Sequence, residues 1–358
     1  MIGAATREAR ALRREPPLPL FGRIAAEVRL TSATTFDHRP ATPPLGEPLA
    51  ALAPDLPAPP RLPDGLSHFL YAHYYLQDPT EVDNGRTHAL SRIPIRARED
   101  VGFGLALRAA NLGRGWADPG WTIVDRRDGG TFARKGGVTL FLSDGDIAGR
   151  DAAGGTVAVR FPNDRPYASP GFYTAIGDGG PTTPEAGPLV RVYFDVLPAH
   201  APALLSALTS TLGASLSRFS VKLLNNPRWY TRPDAAVAWL LREEYPRARP
   251  VLGDIVRTLG DRIGERTPAL ARPVARGVAV AEEPTGDPSR PHPPSFGFHR
   301  CDLVATGLAR AFAAGAADAD ARHAWILREL VAAGLDPARP WLNPGSADFA
   351  PLHPEETP

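Results

Sequence analysis

Proline decides where this chain can build regular structure. Forty prolines stand among its 358 residues, and they are dense in the first 62, as in EPPLPL, RPATPPLGEP and APDLPAPPRLP. A residue that precedes proline is pushed out of the helical region, so this stretch reads as extended segments and loops, with room for one helix at its start. The tail from Pro340 is proline-rich again. The expected organisation is therefore a Pro-rich extension over residues 1–62, a single α+β domain over 63–338 and a Pro-rich tail over 339–358.

Inside the body the pattern changes. SHFLYAHYYLQD spaces its apolar and aromatic residues as a short amphipathic helix does. Between 90 and 197, β-rich runs alternate with Gly-Gly and Asp-Gly turn signals, predicting strands near 121–126, 137–143 and 156–161. VRVYFDV reads as a strand, APALLSALTSTLG as a helix, RFSVKLL as a strand and RPDAAVAWLLREEY as a helix with Pro233 in its first turn. That order fits a βαβ crossover or an antiparallel arrangement equally well. Two or three further helices are expected from VLGDIVRTLGDRIG, CDLVATGLARAFAAG and ARHAWILRELVAAG. The fold class expected is α+β: a central, mainly antiparallel sheet with helices packed on it.

Composition narrows the function. Hydrophobic residues make up 43% and charged residues 22%, with a net charge of +1, so no global field points to nucleic acid or a membrane surface. The first residues, MIGAATREARALRRE, lack the apolar stretch of a secretory signal. The single cysteine, Cys301, excludes an internal disulfide, suits a reducing cytoplasm and reads as a buried small residue. There is no GxxxxGK[ST] loop, no GxGxxG after a strand, no HExxH and no paired CxxC, so neither a nucleotide cofactor nor a metal is expected. HRCDL at 299–303 departs from a kinase catalytic loop in order and spacing, and DGD at 144–146 reads as a hairpin turn.

Only two of the 40 basic residues are lysines, Lys135 and Lys222. Such an imbalance follows from GC-rich codons like those of actinomycetes. It also draws attention to the lysines, since arginine stays protonated while lysine releases its proton when desolvated. Lys222, in FSVKLL, shares a strand face with Ser220 and Leu224 and is the stronger candidate for a base. Lys135, beside Gly136-Gly137, reads as a solvated hairpin lysine. Arg160, Arg191, Arg232 and Arg300 each adjoin aromatic or β-branched residues. An arginine facing inward needs a carboxylate or phosphate partner, and several together would form a dianion pocket. His73 and Tyr74, in an aromatic knot with Tyr71 and Tyr75, are candidate proton donors or pocket walls.

The order LYAHYY, ARKGGVTLFL, SPGFYTAIGD, VRVYF, FSVKLLNNPRWYTRPDAAVAWL, GVAVAEEP and SFGFHRCDLVA resembles the HopA effector-like family over about residues 65–315. That family takes its name from a plant-pathogen type III effector and also occurs in actinomycete lanthipeptide gene clusters. The resemblance implies a lyase of the class V lanthipeptide type. Its substrate would be a precursor peptide phosphorylated on Ser or Thr by a separate kinase, and its product dehydroalanine or dehydrobutyrine. A more distant likeness to phosphothreonine lyases, which use a lysine base, a histidine acid and phosphate-binding arginines, does not transfer position by position. β-Elimination needs a base and cations and no cofactor. Lys222 is accordingly expected as the base, with Lys135 as partner or alternative. Arg191, Arg232, Arg160 and Arg300 are expected around the phosphate, and His73 or Tyr74 as the acid. The rival expectation is a non-catalytic scaffold that holds the precursor peptide and the kinase together.

Overall fold

The computed structural model describes residues 16–40, 61–63, 65–77, 99–151, 154–166, 168–285 and 294–353, together with the backbone of 82–83 and 86–87. In chain order the elements are α1 (Pro17–Glu27), β1 (Val28–Leu30), β2 (Phe36–His38), α2 (Leu66–Leu70, continued by a π-helical turn over Tyr71–Tyr75), β3 (Val82–Asp83), β4 (Arg86–Thr87) and α3 (Val101–Ala110). The strands β5 (Trp116–Arg127), β6 (Gly130–Lys135), β7 (Val138–Leu142), β8 (Ile147–Arg150), β9 (Thr156–Phe161) and β10 (Phe172–Ile176) follow. Then come β11 (Leu189–Phe194), α4 (Ala201–Ser215), β12 (Phe219–Leu224), β13 (Ala236–Leu241) and α5 (Tyr245–Leu259). The chain closes with β14 (Arg272–Ala275), β15 (Val278–Glu282), α6 (Phe296–Ala313) and α7 (Ala319–Ala332). The fold class is α+β.

The chain divides into two compact units. The first takes 1–87, 266–272 and 286–348. Its helices α6 and α7 pack closely at Gly307, where an added Cβ would stand 2.6 Å from Ile326 Cα. Helix α1 lies on α7, and Arg322 Nε donates to Ala25 O at 2.8 Å. The proline-dense start therefore contributes folded structure over 16–40. Prolines 17 and 19 sit in the first turn of α1, where the missing N–H costs no intrahelical bond, and Leu20, Phe21, Ile24 and Ala25 are buried. The helix expected at the very beginning of the chain falls partly on residues 1–15, outside the described residues.

The second unit takes 88–265, 273–285 and 349–358. One sheet, in order β7-β6-β5-β9-β8, is built of hairpins and closes over Trp121, Ala133, Leu142, Val157 and Val159. Gly136 and Gly137, both at positive φ, make the β6–β7 turn. The larger sheet runs β10-β12-β13-β11-β15-β14. Its pairs β10–β12, β12–β13, β13–β11 and β11–β15 are antiparallel, which settles the choice left open between crossover and antiparallel order.

One expectation is overturned. RPDAAVAWLLREEY is not a helix: Ala236–Leu241 is a strand between β12 and β11. An apolar run of six residues buried on both faces carries no period that separates strand from helix. The helix begins instead at Tyr245, with Pro246 in its first turn.

Candidate functional site

Strand period two sorts the larger sheet into two faces. Val190, Val192 and Phe194, with Phe219, Val221 and Leu223 and with Ala236, Ala238 and Leu240, form one fully buried face, and α4 packs along β12. The other face carries polar chemistry. Lys222 stands on it opposite Thr174 of β10 and Val237 of β13. Two residues back, Ser220 lies opposite Trp239, and Trp239 lies opposite Arg191 of β11. The expected grouping of Lys222 with Ser220 and Leu224 is the observed one.

The Lys222 ammonium is held on two sides. Its Nζ donates to Ser169 Oγ at 2.8 Å and lies 3.9 Å from the centroid of the Phe172 ring. Desolvation, followed by the positive charges of Arg191 and Arg232, pushes its pKa down to about 8, while Asp234 acts in the opposite direction. A lysine so placed gives up its proton near pH 8 rather than above 10, with two guanidinium groups alongside to stabilise negative charge.

Both arginines arrive with carboxylate partners. Arg191 makes a bidentate pair with Glu283, through Nε to Oε2 and through Nη2 to Oε1 at 2.6 Å. Trp239 supports that pair: its ring lies under the guanidinium, 5.0 Å from Cζ, and its Nε1 donates to Glu283 Oε2 at 3.2 Å. Arg232 is fixed by Asp234, with Nε to Oδ1 at 2.7 Å and Nη2 to Oδ2 at 2.8 Å, both side chains being buried. The two arginines, two carboxylates and Lys222 sum to a single positive charge when the lysine is protonated.

Three of the expected site residues, Lys222, Arg191 and Arg232, thus come together. The other expected residues have surroundings of their own. Arg160 is exposed on β9, opposite Ala117 in the five-stranded sheet. Lys135 is a surface hairpin lysine bound to Asp118 Oδ1 at 2.6 Å and Pro119 O at 2.8 Å. Arg300, His73 and Tyr74 belong to the first unit. Arg300 is buried there, donating to Pro340 O at 2.7 Å and Leu342 O at 3.3 Å, so it anchors the chain after α7. Tyr74 donates its hydroxyl to Glu27 Oε2 at 2.7 Å, and His73 stacks on Phe69. Cys301 is buried in α6, and burial pushes its thiol pKa up.

Ser169, Phe172, Trp239, Asp234 and Glu283 were not singled out from sequence. Two had a signal: Asp234 follows Arg232 by two residues in RPD, and Glu283 is the second acid of the EEP segment. Among the described residues, Glu27, His38 and His73 of the first unit form the one group of His, Cys and acidic side chains whose ligand atoms converge as a metal site requires.

A model of the HopA1 effector protein family matches residues 163–342, a span that contains every member of the Lys222 cluster. Two solved structures are similar. The effector protein from Pseudomonas syringae pv. tomato strain DC3000 shares 18% identity, covering 78% of this chain and 90% of that one, with a TM-score of 0.41. The effector protein from Pseudomonas syringae pv. syringae strain 61 shares 13%, covering 79% and 100%, with a TM-score of 0.37. None of the curated proteins compared with the chain matches it.

Proposed function

The chain belongs to the HopA1 effector protein family, and on that premise we propose that it is a lyase that eliminates phosphate from phosphoserine or phosphothreonine in a precursor peptide. The observation that carries this reading is the Lys222 amine, desolvated on a sheet face beside Arg191 and Arg232. Neutral Lys222 Nζ takes the α-proton. The Cα–H electron pair becomes the Cα=Cβ bond, and the Cβ–O bond breaks with its pair leaving on phosphate. Lys222 becomes an ammonium, the phosphate takes a proton from water, and the residue left is dehydroalanine or dehydrobutyrine. The two guanidiniums stabilise the enolate-like charge and the departing phosphate. In this reading a separate kinase supplies the phosphopeptide, as in lanthipeptide biosynthesis. In this reading Lys222, Arg191 and Arg232 carry the step, and Arg160, exposed on β9, and Lys135, bound to Asp118, are given no role in it.

A second reading, a scaffold that binds the precursor peptide and the kinase without chemistry, draws on the carboxylate partners of both arginines. One assay separates the two. The phosphorylated peptide is incubated with the chain, and loss of phosphoric acid is followed by mass spectrometry. Lysis by wild type and none by Lys222→Ala supports the lyase. A phosphopeptide that binds and stays intact refutes it.

A further inference from the structure

We propose that Glu27, His38 and His73 form a binding site for a divalent cation of the zinc type. The three come from different elements of the first unit. Glu27 ends α1, His38 ends β2, and His73 lies in the π-helical turn after α2. The β1–β2 register sets His38 opposite Val28, the residue after Glu27. The two imidazole rings meet edge to face with centroids 4.6 Å apart. One ligand atom from each of the three residues lies within 4.8 Å of the other two.

Two features point to a ligand rather than to packing alone. His38 Nε2 is inaccessible to solvent and has no hydrogen-bond partner among the described residues. It stands 3.8 Å from Glu27 Oε2, too far for a hydrogen bond and close enough for both atoms to bind one ion. Ligand atoms about 2.1 Å from one zinc lie roughly 3.5 Å apart, so occupancy asks the widest of the three separations, at most 4.8 Å, to close by up to about 1.3 Å. The second feature is that the Glu27 carboxylate is held in place by a neighbouring hydroxyl. Tyr74 donates its hydroxyl to Glu27 Oε2 at 2.7 Å, the kind of outer contact that fixes a ligating carboxylate. Arg23, 3.4 Å from Glu27 Oε2, opposes a cation and lowers the affinity.

The donor set selects the ion. Two imidazoles and one carboxylate suit zinc and its transition-metal neighbours, whereas magnesium and calcium prefer oxygen alone. A bound ion would tie the end of α1, the β1–β2 hairpin and the π-helical turn together, so its effect is to stabilise the first unit.

The test uses the full chain after chelator treatment, titrated calorimetrically with zinc sulfate and, separately, with magnesium chloride. The expected result is binding of one zinc per chain, a rise in the thermal midpoint and no response to magnesium. His38→Gln and His73→Gln should each weaken zinc at least about tenfold, and Tyr74→Phe about tenfold through Glu27. Cobalt(II) absorption of the wild-type chain reads imidazole ligation without any variant. The proposal is overturned if zinc does not bind, if cobalt gives only the spectrum of the hydrated ion, or if both glutamine variants bind zinc as wild type does. In that event the three side chains are a packed aromatic and ionic cluster.

Discussion

Replacing Lys222 by methionine should make the chain more stable at neutral pH while abolishing elimination. The folded chain holds this lysine at a pKa of about 8, against 10.5 for the free side chain. At 1.36 kcal/mol for each pKa unit, the ammonium costs the fold ~3 kcal/mol wherever both states are protonated, which includes pH 7. Between pH 8 and 10.5 the folded lysine loses its proton while the unfolded one keeps it. The unfolded state then binds more protons, so wild-type stability rises with pH across that window and the cost disappears above it. Methionine removes the charge and keeps contact with the Phe172 ring, but it forfeits the bond to Ser169, worth about 1 kcal/mol. The net expectation is a gain of ~2 kcal/mol at pH 7 that shrinks steadily toward pH 10. Urea unfolding of both proteins at pH 7 and pH 9.5 measures it, and taking the difference cancels the other titrating groups. A variant that is less stable than wild type at pH 7, by an amount that does not change with pH, would show that the ammonium is not desolvated and would remove the ground for calling it a base.

Because Lys222 must be neutral to act, kcat/KM for phosphate release should climb with pH and level off above about 8. Lys222→Arg should be inactive at every pH, since a guanidinium keeps its proton; an active arginine variant would rule out Lys222 as the base. Asp234→Asn removes the charge that raises the Lys222 pKa, so the inflection should move to lower pH. It also strands the buried Arg232, at a cost of about 3–5 kcal/mol readable by denaturation. Lys135→Met breaks a surface pair with Asp118 and an exposed bond to Pro119 O, so stability should change by less than about 1 kcal/mol and the elimination rate should not change. A large loss of rate there would return Lys135 to the site.

What could be read in the sequence follows from how local each signal is. Gly-Gly and Asp-Gly turns mark hairpins over a few residues, and three strands of the five-stranded sheet, near 121–126, 137–143 and 156–161, are legible for that reason. Alternation inside FSVKLL placed Lys222, Ser220 and Leu224 on one face before any pairing was known. Ala236–Leu241 was missed because a central strand buried on both faces has no polar side to reveal its period. The arginines failed as a group for a different reason. Arg160, Arg191, Arg232 and Arg300 have the same kind of neighbours along the chain, and only pairing across the sheet gives Arg191 its Glu283, 92 positions away. Glu27, His38 and His73 were hidden in the same way. They have no shared motif, and they meet only because α1, the β1–β2 hairpin and the π-helical turn pack together.

The carboxylates beside the arginines decide how a phosphate would be received. With Glu283 and Asp234 in place, Arg191 and Arg232 bring no net charge to the face, and Lys222 is the only surplus in the cluster. A phosphate dianion arriving beside Lys222 would raise its pKa, working against the base it needs. The free-chain value of about 8 is then the lower bound for the loaded site. The geometry eases that conflict if the guanidiniums turn part of their hydrogen bonding from carboxylate to phosphate. The dianion is then neutralised locally, and its effect on the lysine shrinks. On this view Glu283 and Asp234 hold the guanidiniums rigid and soluble on a half-buried face until an anion with more acceptor oxygens competes for them. The two bidentate pairs and the desolvated lysine are therefore one device. The carboxylates keep the arginines in position, burial and then the arginines keep the lysine near its titration point, and the substrate's own charge sets how far the lysine is driven from it.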